Sequence, residues 1–554
     1  MQTKSHEIVQ ALRDEYRDEK LQTTRDIAAC GPAVLVLLVR SSQALLGHVT
    51  SQSMMSSDAV QTKQSPTTSH FEINLTLKTL FTLAQESINS IPFNLVPRHW
   101  LRLYTDTSLL LSLSDLIFDD DTNVGKRRKV WLDFVRRLDM AIIVAGALGE
   151  KRAEWIQDTI KEIQRTKLGH RISNSSDEER PTKRARVKIS TPAIDASSST
   201  TLMYAPNPIP VLGTPPSLTR YLTHHIDHPF ILRGHLTESW SASKKWQSAK
   251  YLLDQAGEGR VVPVEIGRAY DDEEWGQKII PFKEFLRRAG FDVQDDDDVV
   301  HAGDEGKLTK QRERLRDEES VEDEGGADED DSGHSTEAHG SKTPPLYLAQ
   351  YGLFDQFPEL ARDISYPDYV WSEPPIPVDV PSYSPPQTED GVIVNVWIGS
   401  GGSEIVSPAH TDPYYNCYAQ VLGQKRVWLA PPSCGPYMHA YGSGQTNPGA
   451  EDDQNRSEIN LDQNYTDNDE NTSGLAEKYM TNTSKVPILR PLPREHSDFQ
   501  SLIQGEFPDY HEHVWPVSLE AVLQPGDLMV MPPGWWHAMR GEGDGPGWSV
   551  SMWY

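Results

Sequence analysis

Cysteine is scarce in this chain, with three in 554 residues: Cys30, Cys417 and Cys434. Three thiols build neither a disulfide framework nor a four-cysteine zinc site, and the expected setting is a reducing intracellular compartment. Long apolar runs are lacking too. The best of them, Ala33–Val39, is far shorter than the roughly 20 residues a bilayer-spanning helix needs. Positive charge is in deficit: 53 Lys+Arg stand against 81 Asp+Glu, a net charge of −28 and a pI near 5.0. That argues against a general nucleic-acid binder or an anionic-membrane binder, although a local basic patch remains compatible with either. The opening MQTKSHEIVQALRDEYRDEK mixes acids with bases, unlike a signal or transit peptide. Apolar residues make up only 37%, and mean hydropathy is −0.55. A chain of this length accommodates about three or four domain-sized units, so part of it is expected to be solvated linker.

What is there divides into three parts. In residues 1–172 the pattern from Leu75 onward is helical. Trp131, Phe134, Val135, Leu138, Ala141, Ile142 and Ala145 recur at three- and four-residue steps, and Trp155, Ile156, Ile160 and Ile163 continue them. The first 70 residues are expected to be partly loose: Ala33–Val39 suits a helix turn or a strand, and residues 51–69 are polar. This all-helical domain carries no visible chemistry. Residues 173–205 read as a disordered linker containing Pro181-Thr182-Lys183-Arg184-Ala185-Arg186-Val187-Lys188, a basic run of the kind that import receptors bind. The expected location is therefore nuclear, with a cytoplasmic fraction.

From residue 206 to 554 the texture changes to short β-branched runs punctuated by Gly and Pro: Phe230–Leu232, Val261–Val264, Val392–Trp397 and Arg426–Leu429. Two polar insertions interrupt them, at about 293–343 and 443–485. Within the first, residues 295–331 hold 17 acids and 5 bases, too little apolar surface to fold alone. No internal repeats are present. The fold class expected is α+β: a C-terminal jelly-roll barrel with flanking helices, preceded by the all-helical domain.

Metal-ligand patterns supply the chemistry. In a strand, His-x-Asp puts both side chains on one face, and a distant His completes the 2-His-1-carboxylate triad of non-heme Fe(II) oxygenases. About one His-x-Asp is expected by chance, and this chain has three: His225/Asp227, His410/Asp412 and His496/Asp498. Context separates them. His225 ends a helical stretch and His496 follows a proline-rich loop, so both read as surface or capping features. His410 heads a segment read as strand, turn at Gly423 and strand, in which Asn416 shares its parity. Lys425, just past the turn, is placed to point into the same cavity, where a dicarboxylate would answer its charge. The third ligand is expected at His537, after Gln524–Trp536 (QPGDLMVMPPGWW), ahead of the rival pair His511 and His513.

The stretches HTDPYYNCYAQVLGQKRVWLAPP and PGDLMVMPPGWWHAM together resemble the JmjC (cupin-like) family of Fe(II)- and 2-oxoglutarate-dependent oxygenases. Leu346–Tyr369 and Val262–Trp275 are similar to its lysine demethylase 8 branch, also described as an arginyl hydroxylase. The resemblance covers roughly residues 209–554 and implies a cupin (double-stranded β-helix) barrel that uses Fe(II), 2-oxoglutarate and O2. It assigns His410, Asp412 and His537 to the metal and to catalysis. It assigns Lys425, Tyr347, Ser407 and Asn416 to the cosubstrate, and Trp397 and Trp553 to aromatic walls.

Two reactions share such a site. Hydroxylation of a side chain, arginine favoured, is expected on a basic protein or peptide, with a histone or ribosomal protein among the candidates. The alternative is histone lysine demethylation by N-methyl hydroxylation, and a second is a non-catalytic scaffold that binds basic proteins. Three cysteines leave no chromatin-reading zinc module, which favours hydroxylation. Glu404, Asp363 and Asp368 are candidate partners for a cationic target side chain. The other partner expected is an import receptor at 181–188; no direct nucleic-acid binding and no membrane are expected.

Overall fold

The computed structural model describes residues 2–55, 69–92, 95–118, 124–170, 203–270, 275–294, 344–403, 405–441, 482–493, 496 and 498–554. The basic run 181–188, the acidic stretch 295–331 and Glu404 lie outside them. The N-terminal part is helical: α1 (Gln2–Arg17), α2 (Gln22–Ala28), α3 (Pro32–Met55), α4 (His70–Asn89), α5 (Arg98–Ile117), α6 (Val124–Ala145) and α7 (Arg152–Thr166). The stripe expected on 131–145 is buried, and Ile156, Ile160 and Ile163 join the same core. The start of the chain is more ordered than its composition suggests. Ala33–Val39 lies inside α3, and residues 51–55, expected to be loose, continue that helix. Val34, Leu38 and Leu45 of α3 share a core with Ile8, Val9 and Leu12 of α1; a matching apolar stripe on a neighbour outweighs β-branched propensity.

Helix α5 brings charge into that core. Arg102, Asp106 and Arg152 are 3%, 0% and 1% exposed. Asp106 accepts from Arg102 Nε at 3.0 Å and from Arg152 Nε at 2.9 Å. Glu15 closes the cluster at 2.5 Å from Arg102 and 2.7 Å from Arg152. Every charge here has an opposite partner, the condition under which ions persist in an interior.

The C-terminal part is built on thirteen described strands: β1 (Asn207–Pro208), β2 (Phe230–Leu232), β3 (Val261–Ile266), β4 (Gly276–Pro281), β5 (Leu346–Tyr351), β6 (Ile393–Ser400), β7 (Val406–Thr411), β8 (Asn416–Leu422), β9 (Gln424–Ala430), β10 (Leu519–Leu523), β11 (Leu528–Met531), β12 (Trp536–Glu542) and β13 (Pro546–Trp553). They form a smaller sheet, β1-β10-β9-β12-β7, and a larger one, β2-β11-β8-β13-β6-β5-β3-β4. Pairing is antiparallel except between β1 and β10. Val427, Leu429 and Met539 of the smaller sheet share a core with Tyr418, Met529 and Met531 of the larger. That core between facing sheets is the barrel interior. The helices Phe499–Glu506 and Pro508–His513 cover the smaller sheet's outer face, where Trp428, Trp536 and Ala538 are buried.

Two of the segments expected to be disordered are ordered at their C-terminal ends. Tyr204 and Ala205, assigned above to the linker, are buried, and one carboxylate oxygen of Glu520 accepts the backbone N–H groups of Met203, Tyr204 and Ala205. Residues 482–485, assigned to the second insertion, are ordered against β7: Ser484 N–H donates to Ala409 O at 2.8 Å, and Thr411 N–H to Asn482 O at 3.2 Å. They cover the open edge of that strand, which polar composition conceals. The three cysteines are free, Cys30 half-buried and Cys417 and Cys434 buried. Burial pushes their thiols up to about 12, 12 and 11.

The helices and the barrel meet through buried polar contacts. Arg260 Nε and Val261 N–H both donate to the Asp139 carboxylate of α6, at 2.8 and 2.9 Å. Gln157 and Gln164 of α7 donate to the backbone carbonyls of Gln356 and Glu258, each at 2.9 Å. The start of β3 is thereby held by the helical part.

Candidate active site

Strands β7 and β12 are antiparallel neighbours whose register sets His410 directly opposite His537. The strand β7 ends at Thr411, so Asp412 lies one residue past it. His410 thus closes one strand rather than heading the next, and strand alternation is not what brings Asp412 in. A turn does so: Gly534 N–H donates to Asp412 O at 2.9 Å, tying the chain after β7 to the turn before β12.

The two rings lie 4.2 Å apart between centroids. His537 Nε2 is 3.4 Å from one Asp412 oxygen, and His410 Nε2 is 3.8 Å from the other. Each imidazole donates its Nδ1–H to the carbonyl two residues back, His410 to Pro408 O at 2.7 Å and His537 to Trp535 O at 3.0 Å. Those bonds orient the rings and aim both Nε2 atoms at the centre. Burial, reinforced by His537, pushes His410 down to about 4, so it is neutral at physiological pH. Burial also raises Asp412, but the attraction of His537 outweighs it and holds the carboxyl below its usual range. Among the described residues this is the one His/Cys/Asp/Glu trio whose ligand atoms all lie within 4.8 Å. Burial lowers His537, but the Asp412 carboxylate outweighs it and raises that imidazole, so a metal binding there would displace its proton. Two imidazoles and one carboxylate are the donor set of non-heme Fe(II) oxygenases, and these residues fit that metal.

The trio opens on a small cavity between the sheets, lined also by Trp397, Ser407, Asn416, Tyr418, Lys425, Met539, Ser551 and Trp553. Lys425 enters from the start of β9 and is 7% exposed. Its Nζ donates to Tyr347 Oη at 3.0 Å and to Tyr418 Oη at 2.8 Å. Among the described residues it pairs with no carboxylate, and burial alone lowers it to about 7. The Tyr347 ring occupies the space where a side chain at Gly399 would sit; a Cβ there would come within 2.6 Å of it. Asn416 Oδ1 and Trp553 Nε1 are buried without a partner among the described residues. A cation and unsatisfied polar atoms facing one cavity form a receptor for a small anionic, hydrogen-bonding ligand.

All nine residues assigned by the sequence are therefore brought together, Tyr347 through its contact with Lys425. The alternation argument missed Tyr418, Ser551 and Met539. Each stands two residues from a named one (Asn416, Trp553, His537), so the same period-two rule finds them. The rivals lie elsewhere. His225 is the C-cap of the helix Leu218–His224, His496 bonds Glu506 at 2.8 Å, and Asp498 caps the helix that follows it. His511 bonds Gln504, and His513 stacks on Tyr437. Asp363 is held in a buried network by Ser241, Lys245, Trp246 and Tyr251, and is not a pocket wall.

Comparison with known proteins agrees with this geometry. The sequence signature of the cupin-like domain matches residues 220–554. The chain is 27% identical over 348 residues to Jumonji C domain-containing protein 5 of Drosophila melanogaster, covering 62% of this chain and 59% of that one. It is 25% identical over 473 residues to Lysine-specific demethylase 8 of Danio rerio, covering 85% and 84%. It is 26% identical over 341 residues to Lysine-specific demethylase 8 of Xenopus tropicalis, covering 61% and 51%. The chain thus spans little more than half the length of the fly and frog relatives. With the signature over more than half of the chain and the His-x-Asp…His trio assembled, this protein belongs to the cupin-like (JmjC) domain family.

Proposed function

We propose that this enzyme hydroxylates a side chain, arginine favoured, of a basic protein or peptide, with Fe(II) at His410, Asp412 and His537 and 2-oxoglutarate at Lys425. The observation that supports it best is Lys425, a buried cation whose partners among the described residues are phenol oxygens. The far carboxylate of 2-oxoglutarate would supply its missing charge, with Tyr347 and Tyr418 fixing the ammonium. Asn416 and Ser407 would take further polar contacts, while Trp397 and Trp553 wall the cavity and exclude water. Bound iron would supply the activation of O2, and the overall change balances as R–H + 2-oxoglutarate + O2 → R–OH + succinate + CO2. The chain's own work is to hold the metal and cosubstrate and to set one C–H bond beside them.

Demethylation is the second reading, favoured by the names of the zebrafish and frog relatives and by aromatic walls suited to a methylated ammonium. A scaffold role would leave the trio and Lys425 without use. Nuclear entry through residues 181–188 is part of the proposal and is tested by tagging protein with and without that run. The deciding experiment incubates arginine- and methyl-lysine-containing basic peptides with enzyme, Fe(II) and 2-oxoglutarate, followed by mass spectrometry. Gain of one oxygen supports hydroxylation and loss of a methyl group supports demethylation. Absence of iron-dependent succinate rejects both.

A further inference from the structure

Beside the active site the chain displays an apolar ledge. Trp371, Ile376 and Val378 are 55%, 63% and 95% exposed, in a loop that also holds Pro374, Pro375, Pro377 and Pro381. The loop is seated on the two turns that carry the metal trio. Pro375 O accepts from Tyr415 Oη at 3.1 Å, three residues after Asp412. Val380 lies where a side chain at Gly534 would be, 2.5 Å from the Cβ that φ +75° also disfavours there; Gly534 is the residue that bonds Asp412. Below, Tyr383 is buried and its hydroxyl donates to Tyr554 O at 3.3 Å. The apolar groups are therefore held in place by prolines and anchors, so little entropy is lost when something covers them.

The charge around the ledge selects the occupant. Residues 364–381, which carry the ledge, contain three acids (Asp368, Glu373 and Asp379) and no lysine or arginine. Glu373 and Asp379, which alternate with Trp371, Ile376 and Val378 along the loop, are exposed and form no ion pair among the described residues. An apolar surface alone would accept any greasy partner, whereas one framed in uncompensated acid rejects acidic chains and attracts basic ones.

We propose that the 371–380 loop is the docking platform for the polypeptide substrate. It takes a basic segment that carries an apolar side chain within a few residues of the target. The inference rests on the protein-hydroxylase reading and deepens it: the barrel reads the target side chain, and the ledge reads its neighbours.

The test uses two synthetic arginine- and lysine-rich peptides, identical except that one central leucine is replaced by serine. Their binding to the full chain is followed by fluorescence anisotropy. The leucine peptide is expected to bind about tenfold tighter, the value of burying one aliphatic side chain. Ile376→Ser with Val378→Ser is expected to remove that preference while leaving salt-dependent binding. Glu373→Gln with Asp379→Asn is expected to keep the preference and flatten the salt dependence. Equal binding of both peptides, or a preference that survives the serine variant, overturns the proposal. So does a concentration-dependent dimer lost in the serine variant, which would assign the ledge to a second copy of the chain. Iron-dependent succinate formation without peptide is read in parallel and is expected to be equal in all variants. If it is absent throughout while the peptide preference stands, the oxygenase reading fails and the docking surface does not.

Discussion

In the helical region Arg102 and Arg152 are buried against Asp106 and Glu15, whereas in the barrel Lys425 is buried against two phenols. The environments are equally dry, but one is electrically complete and the other is not. An ion cluster that cancels internally is part of the architecture, and a cation left over is half of an interaction whose other half comes from outside. The difference separates structural from functional charge without reference to any relative.

The sharpest break is at the metal trio. His410→Ala or Asp412→Ala is expected to reduce iron-dependent succinate production to background while circular dichroism and the unfolding midpoint stay close to wild type. If turnover persists, the trio is misassigned. Next come paired substitutions of the two kinds of buried cation. Arg152→Met leaves Asp106 and Glu15 to share Arg102 alone, one buried negative charge in excess, and is expected to cost about 3–5 kcal/mol of stability by denaturant titration. Lys425→Met removes an unpaired charge, so unfolding stability is not expected to fall. Its loss is instead expected in 2-oxoglutarate binding, by about 3–5 kcal/mol in calorimetry on metal-loaded protein. The comparison collapses if the two variants lose the same property.

A smaller effect is expected with pH. In the free protein Lys425 titrates near 7, and a bound carboxylate would raise it. Below about pH 7 the lysine is already charged and binding needs no proton. Above it, each binding event takes one up, so affinity is expected to fall by up to about tenfold per pH unit until the bound-state value is reached. Calorimetry at pH 8 in buffers of differing ionisation enthalpy is expected to read an uptake approaching one proton; none would mean the lysine stays neutral in the complex. The smallest effect belongs to the decoys. His225→Ala with His496→Ala is expected to leave turnover within a few-fold, because neither ring approaches the trio.

The legible and illegible parts of this structure differ for physical reasons. The stripe on α6 and the strands at 230–232, 261–266, 393–400 and 424–430 follow from periodicity and turn residues, which are local. The trio was legible because its spacing recurs in two long motifs, although His-x-Asp alone, present three times, decided nothing. What was not legible is non-local. Residues 482–485 are polar and read as insertion, yet they pair with β7 because that edge needs covering. Glu520 looks like any surface acid until three backbone N–H groups from residues 203–205 converge on it. The charge cluster of Glu15, Arg102, Asp106 and Arg152 joins three helices distant in sequence, and no window of residues displays it.

The three thiols carry a practical consequence. Cys30 sits among the helices, Cys417 on β8 of the larger sheet and Cys434 in the layer outside the smaller one. Cys417 and Cys434 are protonated and buried in the folded state, so an alkylating reagent modifies each only when its own surroundings open. The sequence therefore carries one clock in the large sheet and one in the outer layer, with half-buried Cys30 as a faster reference. Mass-resolved alkylation over time would rank the opening rates of large sheet and outer layer in a single sample, with no introduced label.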